Sequence, residues 1–429
     1  MRSPVFWRRS SAAAGVYLSA LLGFLGTVVA VRELGIYDFG LLSLVLAATG
    51  FFQLLADLTV EEALVKYGFR YAAREDWGRF RRLFRIGLEL KLLGGLVGAA
   101  AIAVLAPLSG LIWTHGLLGP MLLASLLPLA QAPEGVASAA LIVDKRYDLR
   151  AGLLAVSMAL RLGALAVGGA FGVVETVAAL VVAQVLATAA IGGAAFLALR
   201  RFPQAEPRPL GEDRKGFRRF VVQSSLGSVL SPMRGMLGAL LLGAVTGPRQ
   251  VGFFRVAQVP ESAFASLTAP ARMILLTEQT DDFERGRGNV YATLRRYSLV
   301  AAVAMIVLLP PLALLMPTLI RIAYGHAAAP AVQAARLFLI VAAIHVVWGW
   351  AKSFPVSIGR PELRLIAQGA ELVVLIPALL VLGSAYGATG AAGAFAIAAG
   401  VFAAVWAVLL VRLRRERRES ARSASQPAA

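Results

Sequence analysis

Apolar runs of about twenty residues recur from one end of this 429-residue chain to the other. In water such runs cannot all be buried. In hydrocarbon each is long enough to cross a core of roughly 30 Å as a helix, which satisfies its own backbone N–H and C=O groups. Bounded by charge, glycine or proline, the runs predict spans over 12–31, 40–62, 86–106, 117–141, 151–171, 174–199, 220–245, 251–276, 297–316, 332–350, 363–383 and 388–411. The fold class is therefore all-α, a polytopic membrane protein of about twelve transmembrane helices. Composition agrees: only 15% of residues are charged and mean hydropathy is +0.74, whereas a soluble domain is about a quarter charged. Arg8 and Arg9 before an apolar stretch resemble a leader, but 12–31 is too long for a cleaved apolar region and reads as the first span.

The formal charge of +18 would suggest nucleic acid in a soluble chain. Here the Lys and Arg residues lie between apolar runs, so membrane topology explains them and no nucleic-acid partner is expected. Alternate connections are sharply unequal: one set holds 33 Lys and Arg, the other only Arg32, Arg249 and Arg321. Basic connections stay cytoplasmic, which predicts both termini inside. With no cysteine, disulfides and thiolate metal sites are excluded; three scattered histidines argue against a dedicated metal centre, and no cofactor is expected. No Walker loop, nucleophile elbow or zincin motif is present, so the chain does not read as an enzyme.

Three short matches suggest an internal repeat. Leu34-Gly35 followed by Phe39-Gly40 resembles Leu242-Gly243 followed by Val251-Gly252, Arg81-Arg82 resembles Arg295-Arg296, and Arg146 to Arg150 resembles Arg360 to Arg364. Gly40 and Gly252 are 212 apart and the other two matches 214, while the Leu-Gly pairs are 208 apart. The repeat predicts a six-helix lobe over 1–205, a cytoplasmic linker over 206–219, a second six-helix lobe over 220–411 and a disordered tail over 412–429. Between two parallel lobes a cleft is expected.

Ionisable groups in mid-span cost roughly 2.5–3.5 kcal/mol on insertion scales and therefore face protein or water. Arg161, Arg234, Glu261 and Glu371 are well centred, with Glu134 slightly off-centre between Pro133 and Gly135. Guanidinium groups in a cleft suit an anionic headgroup, so Arg234, Arg161, Arg272 and Lys91 are candidate substrate contacts. For Arg161 and Arg234 the competing reading is a structural ion pair with Glu134 or Glu261; for Lys91 and Arg272 it is snorkelling to the inner face. Glu261, Glu134 and Glu371 are candidate ion-coupling groups, exchanging H⁺ or Na⁺. Asp57, Glu61 and Glu62 read as interfacial, and His345 reads as a hydrogen-bonded structural histidine in preference to a member of a proton relay.

The run Arg32-Glu33-Leu34-Gly35-Ile36-Tyr37-Asp38-Phe39-Gly40-Leu41 resembles the R-x-L-G-x-x-x-[YF]-G-L signature of the polysaccharide (oligosaccharide) flippase family. That family belongs to the superfamily of multidrug and toxin extruders and lipid II flippases. Leu240 to Gly243 followed by Val251 to Ala257 is similar to its seventh-to-eighth-helix segment, and Asp144 to Arg150 to its basic loop before the fifth helix. The chain departs from the family where Pro232-Met233-Arg234 stands in place of an early acidic residue. The resemblance implies two six-helix lobes that open alternately in a bacterial inner membrane, moving an undecaprenyl-pyrophosphate-linked oligosaccharide outward for surface polysaccharide biosynthesis. It also implies membrane lipids and glycan polymerases as partners, with a coupling cation. A cation-coupled multidrug extruder and a non-transporting scaffold of a glycan-assembly complex are the rival readings. The first predicts a cavity ruled by carboxylates and aromatics, the second tolerance of single changes in the cleft.

Overall fold

The computed structural model describes residues 4–56, 59–269, 290–358, 360 and 362–424. Its principal helices are α1 (Pro4–Ala56), α2 (Val60–Ala73), α3 (Trp77–Leu105), α4 (Leu118–Ala124), α5 (Leu126–Val143) and α6 (Tyr147–Gly169). They continue as α7 (Val173–Arg200), α8 (Asp213–Thr246), α9 (Pro248–Leu267), α10 (Val290–Tyr324), α11 (Ala331–Val347) and α12 (Glu362–Ala424). Among the described residues there is no strand. The protein is an all-α polytopic membrane protein, and among the described residues seven helical segments are long and apolar enough to cross a bilayer. Its surface reads accordingly: Leu111, Leu314, Phe171 and Val373 are largely exposed, while Lys91, Glu261, Gln368 and Glu371 are buried. Only a solvent that welcomes apolar side chains makes that distribution favourable.

The two longest helices are each more than one crossing could use. At about 1.5 Å per residue, α1 with its 53 residues would far exceed the roughly 30 Å core as a straight rod. It is broken at Gly35 (φ 77°, ψ 170°), and α12 at Gly387. A side chain at Gly35 would be strained by that positive φ, so the glycine of the first-loop motif is what turns the chain.

Gly247 (φ 88°, ψ 176°), which separates α8 from α9, repeats the Gly35 geometry 212 residues later. The sequence match instead paired Gly35 with Gly243, which lies inside α8 against Leu44. Identity of a Leu-Gly pair misled there, because α8 runs one turn further before its break. The neighbouring pair Gly40 and Gly252 holds at 212. A Cβ on Gly40 would collide with the Pro248 carbonyl, and one on Gly252 with the Ile36 carbonyl. Ile36 and Pro248 are themselves 212 apart, so the contact is reciprocal, each repeat's glycine receiving the other's backbone.

By contacts the chain forms two compact units, one of residues 1–259 and 317–332, the other of 260–316 and 333–429. In unit 1, α6 packs on α1 and α7, and α5 on α3, α7 and α2. One end of it is sealed by Tyr67, Tyr71, Phe80, Leu83, Phe84, Leu210 and Phe217. Leu210 belongs to the polar connection before α8, which is pinned: Arg208 N–H donates to Gly78 O at 3.1 Å, and Asp213 accepts from Arg70 at 2.9 Å and Tyr71 at 3.0 Å. In unit 2, Trp350, Phe354, Phe402 and Trp406 cluster, and Trp350 Nε1 donates to Ser298 Oγ at 2.8 Å.

Two boundaries differ from the sequence reading. The predicted span over 40–62 ends at Ala56, and α2 starts afresh at Val60 with Glu61 and Glu62 in its first turn, where the helix dipole favours them. The tail expected to be disordered from 412 is helical to Ala424, because its Arg and Glu residues, such as Arg412 and Glu416, recur at helical spacing.

Candidate functional site

Unit 1 encloses two adjoining cavities of about 210 and 240 Å³ that share Gln53, Gln131 and Glu134. Lys91, Glu61, Ser138 and Arg150 line the first; Arg161, Gln184 and Met236 line the second. Helix geometry explains how so many polar groups converge. Glu134 and Ser138 lie four residues apart on α5, and Gln131 three before Glu134, so all share one face. Pro133 in the same helix has no N–H, which frees the Leu129 carbonyl. Gly135 leaves room for a carboxylate: a Cβ there would collide with Glu61 Oε1.

The polar groups are ordered. Lys91 Nζ lies 3.0 Å from Glu61 Oε1, with the lysine side chain 4% exposed and the glutamate 41%. Lys91 therefore points inward, not to the membrane face. Gln184 Nε2 donates to Glu134 Oε2 at 2.9 Å, Gln53 Nε2 to Gln131 Oε1 at 3.0 Å, and Arg150 Nε to Ser138 Oγ. Arg161, midway along α6, is exposed on the cavity side and has no carboxylate partner among the described residues. Lys91, Arg150 and Arg161 thus face Glu61 and Glu134, an excess of one positive charge.

Unit 2 gathers a second cluster. Glu261 on α9 and Glu371 on α12 flank His345 on α11: Nδ1 lies 3.3 Å from Glu261 Oε1, and Nε2 3.3 Å from Glu371 Oε1.

Of the seven sequence candidates, Lys91, Arg161 and Glu134 meet in the unit 1 cavities, and Glu261 and Glu371 meet in unit 2. Arg234 is half-buried on α8 and lines neither cavity, and Arg272 lies outside the described residues. Glu134 is held by Gln184 and not by Arg161, and His345 lies beside Glu261.

Sequence reasoning missed Gln53, Gln131, Gln184 and Arg150, and it set Glu61 aside as interfacial and His345 as structural. Glutamines in apolar helices are the signal that would have found three of them. It also passed over two intramembrane arginines. Arg255 Nη1 donates to Gln258 Oε1 at 3.1 Å. Arg336 Nε donates at 3.0 Å to the Ala313 carbonyl, four residues before Pro317 and so left without its helical donor. The motif's Arg32 caps the end of α10 through the Ile322 and Ala323 carbonyls.

Residues 9–275 match the model of the family described as polysaccharide biosynthesis protein. No curated protein matches the chain. Solved structures share its fold. A lipid II flippase MurJ in an inward closed conformation superposes with a TM-score of 0.73 at 13% identity, covering 94% of this chain and 87% of that one. An inward-facing multidrug resistance MATE family transporter gives 0.65 at 14%, covering 97% and 95%. A mutant of the Vibrio cholerae MATE transporter VcmN gives 0.58 at 16%, covering 96% and 98%.

Proposed function

The chain belongs to the polysaccharide biosynthesis protein family, membrane transporters of the flippase type and not enzymes, and from that premise we propose that it flips a polyprenyl-pyrophosphate-linked oligosaccharide. The cargo moves from the cytoplasmic to the outer leaflet of an inner membrane by alternating access. Twelve crossings in two six-helix lobes carry the movement, with both termini cytoplasmic. Breaking α1 at Gly35 and α12 at Gly387 supports that number, as do the shorter apolar helices Pro232–Thr246 and Ala331–Val347.

The observation that carries the reading is Arg161, a mid-helix guanidinium open to a cavity and without an ion-pair partner among the described residues. An uncompensated charge at that depth is costly unless a ligand or water completes it. A diphosphate fits chemically, since guanidinium and ammonium groups donate charge-assisted hydrogen bonds to phosphate oxygens. Arg161 and Lys91 take the diphosphate, joined by Arg150. Arg234 and Arg272 are assigned to the same cargo by charge alone. Gln53, Gln131 and Gln184 offer both donors and acceptors, the chemistry that sugar hydroxyls require. Glu134, Glu261 and Glu371 are the proposed coupling groups for H⁺ or Na⁺.

A cation-coupled extruder is the second reading, favoured by the buried carboxylates of unit 2. Proteoliposomes separate the two. With a fluorescent polyprenyl-diphosphate sugar the flippase transfers label to the outer face, and Arg161→Ala abolishes the transfer while the protein stays monodisperse. Export of a lipophilic cation with no transfer of the diphosphate lipid would favour the extruder.

A further inference from the structure

Arg161, Lys91 and Arg150, the cations of the unit 1 cavities, are matched above to a diphosphate, so the rest of the cargo meets the polar residues that remain. At the junction of the two cavities those are Gln53, Gln131 and Glu134, which line both, with Gln184 in the second. None of the four carries a positive charge. Their mutual hydrogen bonds decide which atoms are left for a ligand. Gln184 Nε2 donates to Glu134 Oε2 at 2.9 Å and to Thr188 Oγ1 at 3.1 Å, which uses both of its N–H groups. Gln53 Nε2 donates to Gln131 Oε1 at 3.0 Å. Among the described residues, that leaves the second oxygen of Glu134 and the carbonyl oxygens of Gln53 and Gln184 as acceptors. The Gln131 amide nitrogen and one N–H of Gln53 remain as donors. One acceptor is a carboxylate and every donor is neutral, so the array calls for a ligand that brings O–H or N–H groups and no negative charge. A sugar hydroxyl meets both conditions, since it donates one hydrogen bond and accepts others. A sugar carboxylate meets neither, because it brings acceptors alone and a charge.

We propose that this array selects the sugar next to the diphosphate, accepting a neutral one and rejecting one that bears a carboxylate, with Glu134 as the residue that discriminates. The placing of the diphosphate rests on the transport reading above. Charge points the same way. Among the described residues that line the cavities, three cations face Glu61 and Glu134, and a diphosphate diester already reverses that single positive excess. A further carboxylate beside Glu134 makes a like-charge contact in a partly buried site, where repulsion is weakly screened. Discrimination of this kind comes from what the site does to the wrong ligand. A neutral sugar escapes that contact and donates a charge-assisted hydrogen bond to Glu134 instead. Cavities of about 210 and 240 Å³ are small beside pockets that enclose a drug-sized ligand. Selection therefore acts on the sugar adjoining the diphosphate and leaves the outer glycan unread.

Three polyprenyl-diphosphate lipids, labelled in the lipid chain, test the selection: one carries a hexose, one the corresponding uronic acid, and one the uronamide, which has the acid's shape without its charge. In proteoliposomes of the full-length protein at neutral pH, the hexose and uronamide lipids are expected to be transferred at rates within about 3-fold of each other, and the uronate at least ~10-fold more slowly. Glu134→Gln is expected to narrow that gap to about 3-fold by speeding the uronate, a gain that a damaged protein does not show. Binding of the same lipids to the purified protein in detergent, read by fluorescence anisotropy, is expected to rank them in the same order. A uronate handled as well as the uronamide by the unsubstituted protein, or a gap untouched by Glu134→Gln, overturns the selection. Binding of the hexose lipid without transfer overturns the flippase reading, and the binding order then decides the selection alone. If none of the three lipids binds, both fall.

Discussion

The polar cavities of unit 1 and the polar cluster of unit 2 solve opposite problems. In unit 1 the charged groups are open to cavity space: Glu61 is 41% exposed and Arg161 faces the opening, with cations in excess. In unit 2 two carboxylates and an imidazole are packed away, with Glu261 and Glu371 8% and 6% exposed. Open space with unfilled donors suits a large anion. A closed, acidic pocket suits a small cation. Similar helical material, read only for where its charges fall, would not separate the two.

Substitutions can break or sharpen that contrast. Arg161→Ala is expected to have the largest effect, slowing transfer of a polyprenyl-diphosphate sugar by about 100-fold, the equivalent of one strong charge-assisted hydrogen bond. Arg161→Lys should recover part of it, as an ammonium keeps the charge but loses the planar fork. Next, Glu371→Gln should cut gradient-driven transfer about 10-fold, whereas Glu134→Gln should cost only about 2–3-fold, since Gln184 and the cavity still solvate an amide there. Equal effects would erase the distinction between the units. Raising ionic strength from low to roughly 0.5 M should weaken sugar-lipid binding several-fold, because the cavity charges are accessible to screening.

The smaller effects concern stability. Lys91→Met leaves Glu61 without its ammonium, and should lower stability by on the order of 1–3 kcal/mol, short of the roughly 3–5 of a fully buried pair because Glu61 is partly solvated. Denaturation in detergent followed by tryptophan fluorescence would show it. Tyr71→Phe, in neither site, should cost about 1 kcal/mol for its hydrogen bond to Asp213 and leave transfer unchanged. Burial first, and Asp213 second, raise the Tyr71 phenol above its ordinary value. Its contribution to stability is therefore complete below about pH 10 and is lost as pH rises further, a decline that Tyr71→Phe should abolish.

What the sequence disclosed follows from where information lies along the chain. Spans were legible because twenty apolar residues in a row have few other uses. Lys91, Glu134, Arg161, Glu261 and Glu371 were legible because charge within such runs is costly. Partners were not, since they come from distant helices. Glu61 looked interfacial until α2 proved to begin at Val60, which turns its carboxylate toward Lys91 on α3. His345 looked structural because nothing nearby in sequence announces two carboxylates, 84 residues before it and 26 after it. Gly247 escaped notice because repeat geometry is set by backbone angles, and a Leu-Gly pair four residues earlier offered the better string match.

The most direct test of the flippase account is transfer of a fluorescent polyprenyl-diphosphate sugar across liposomes holding the purified full-length protein. The account predicts transfer well above empty liposomes, and return to near that baseline in Arg161→Ala reconstituted to the same density. Transfer by Arg161→Ala at the unsubstituted rate would contradict it.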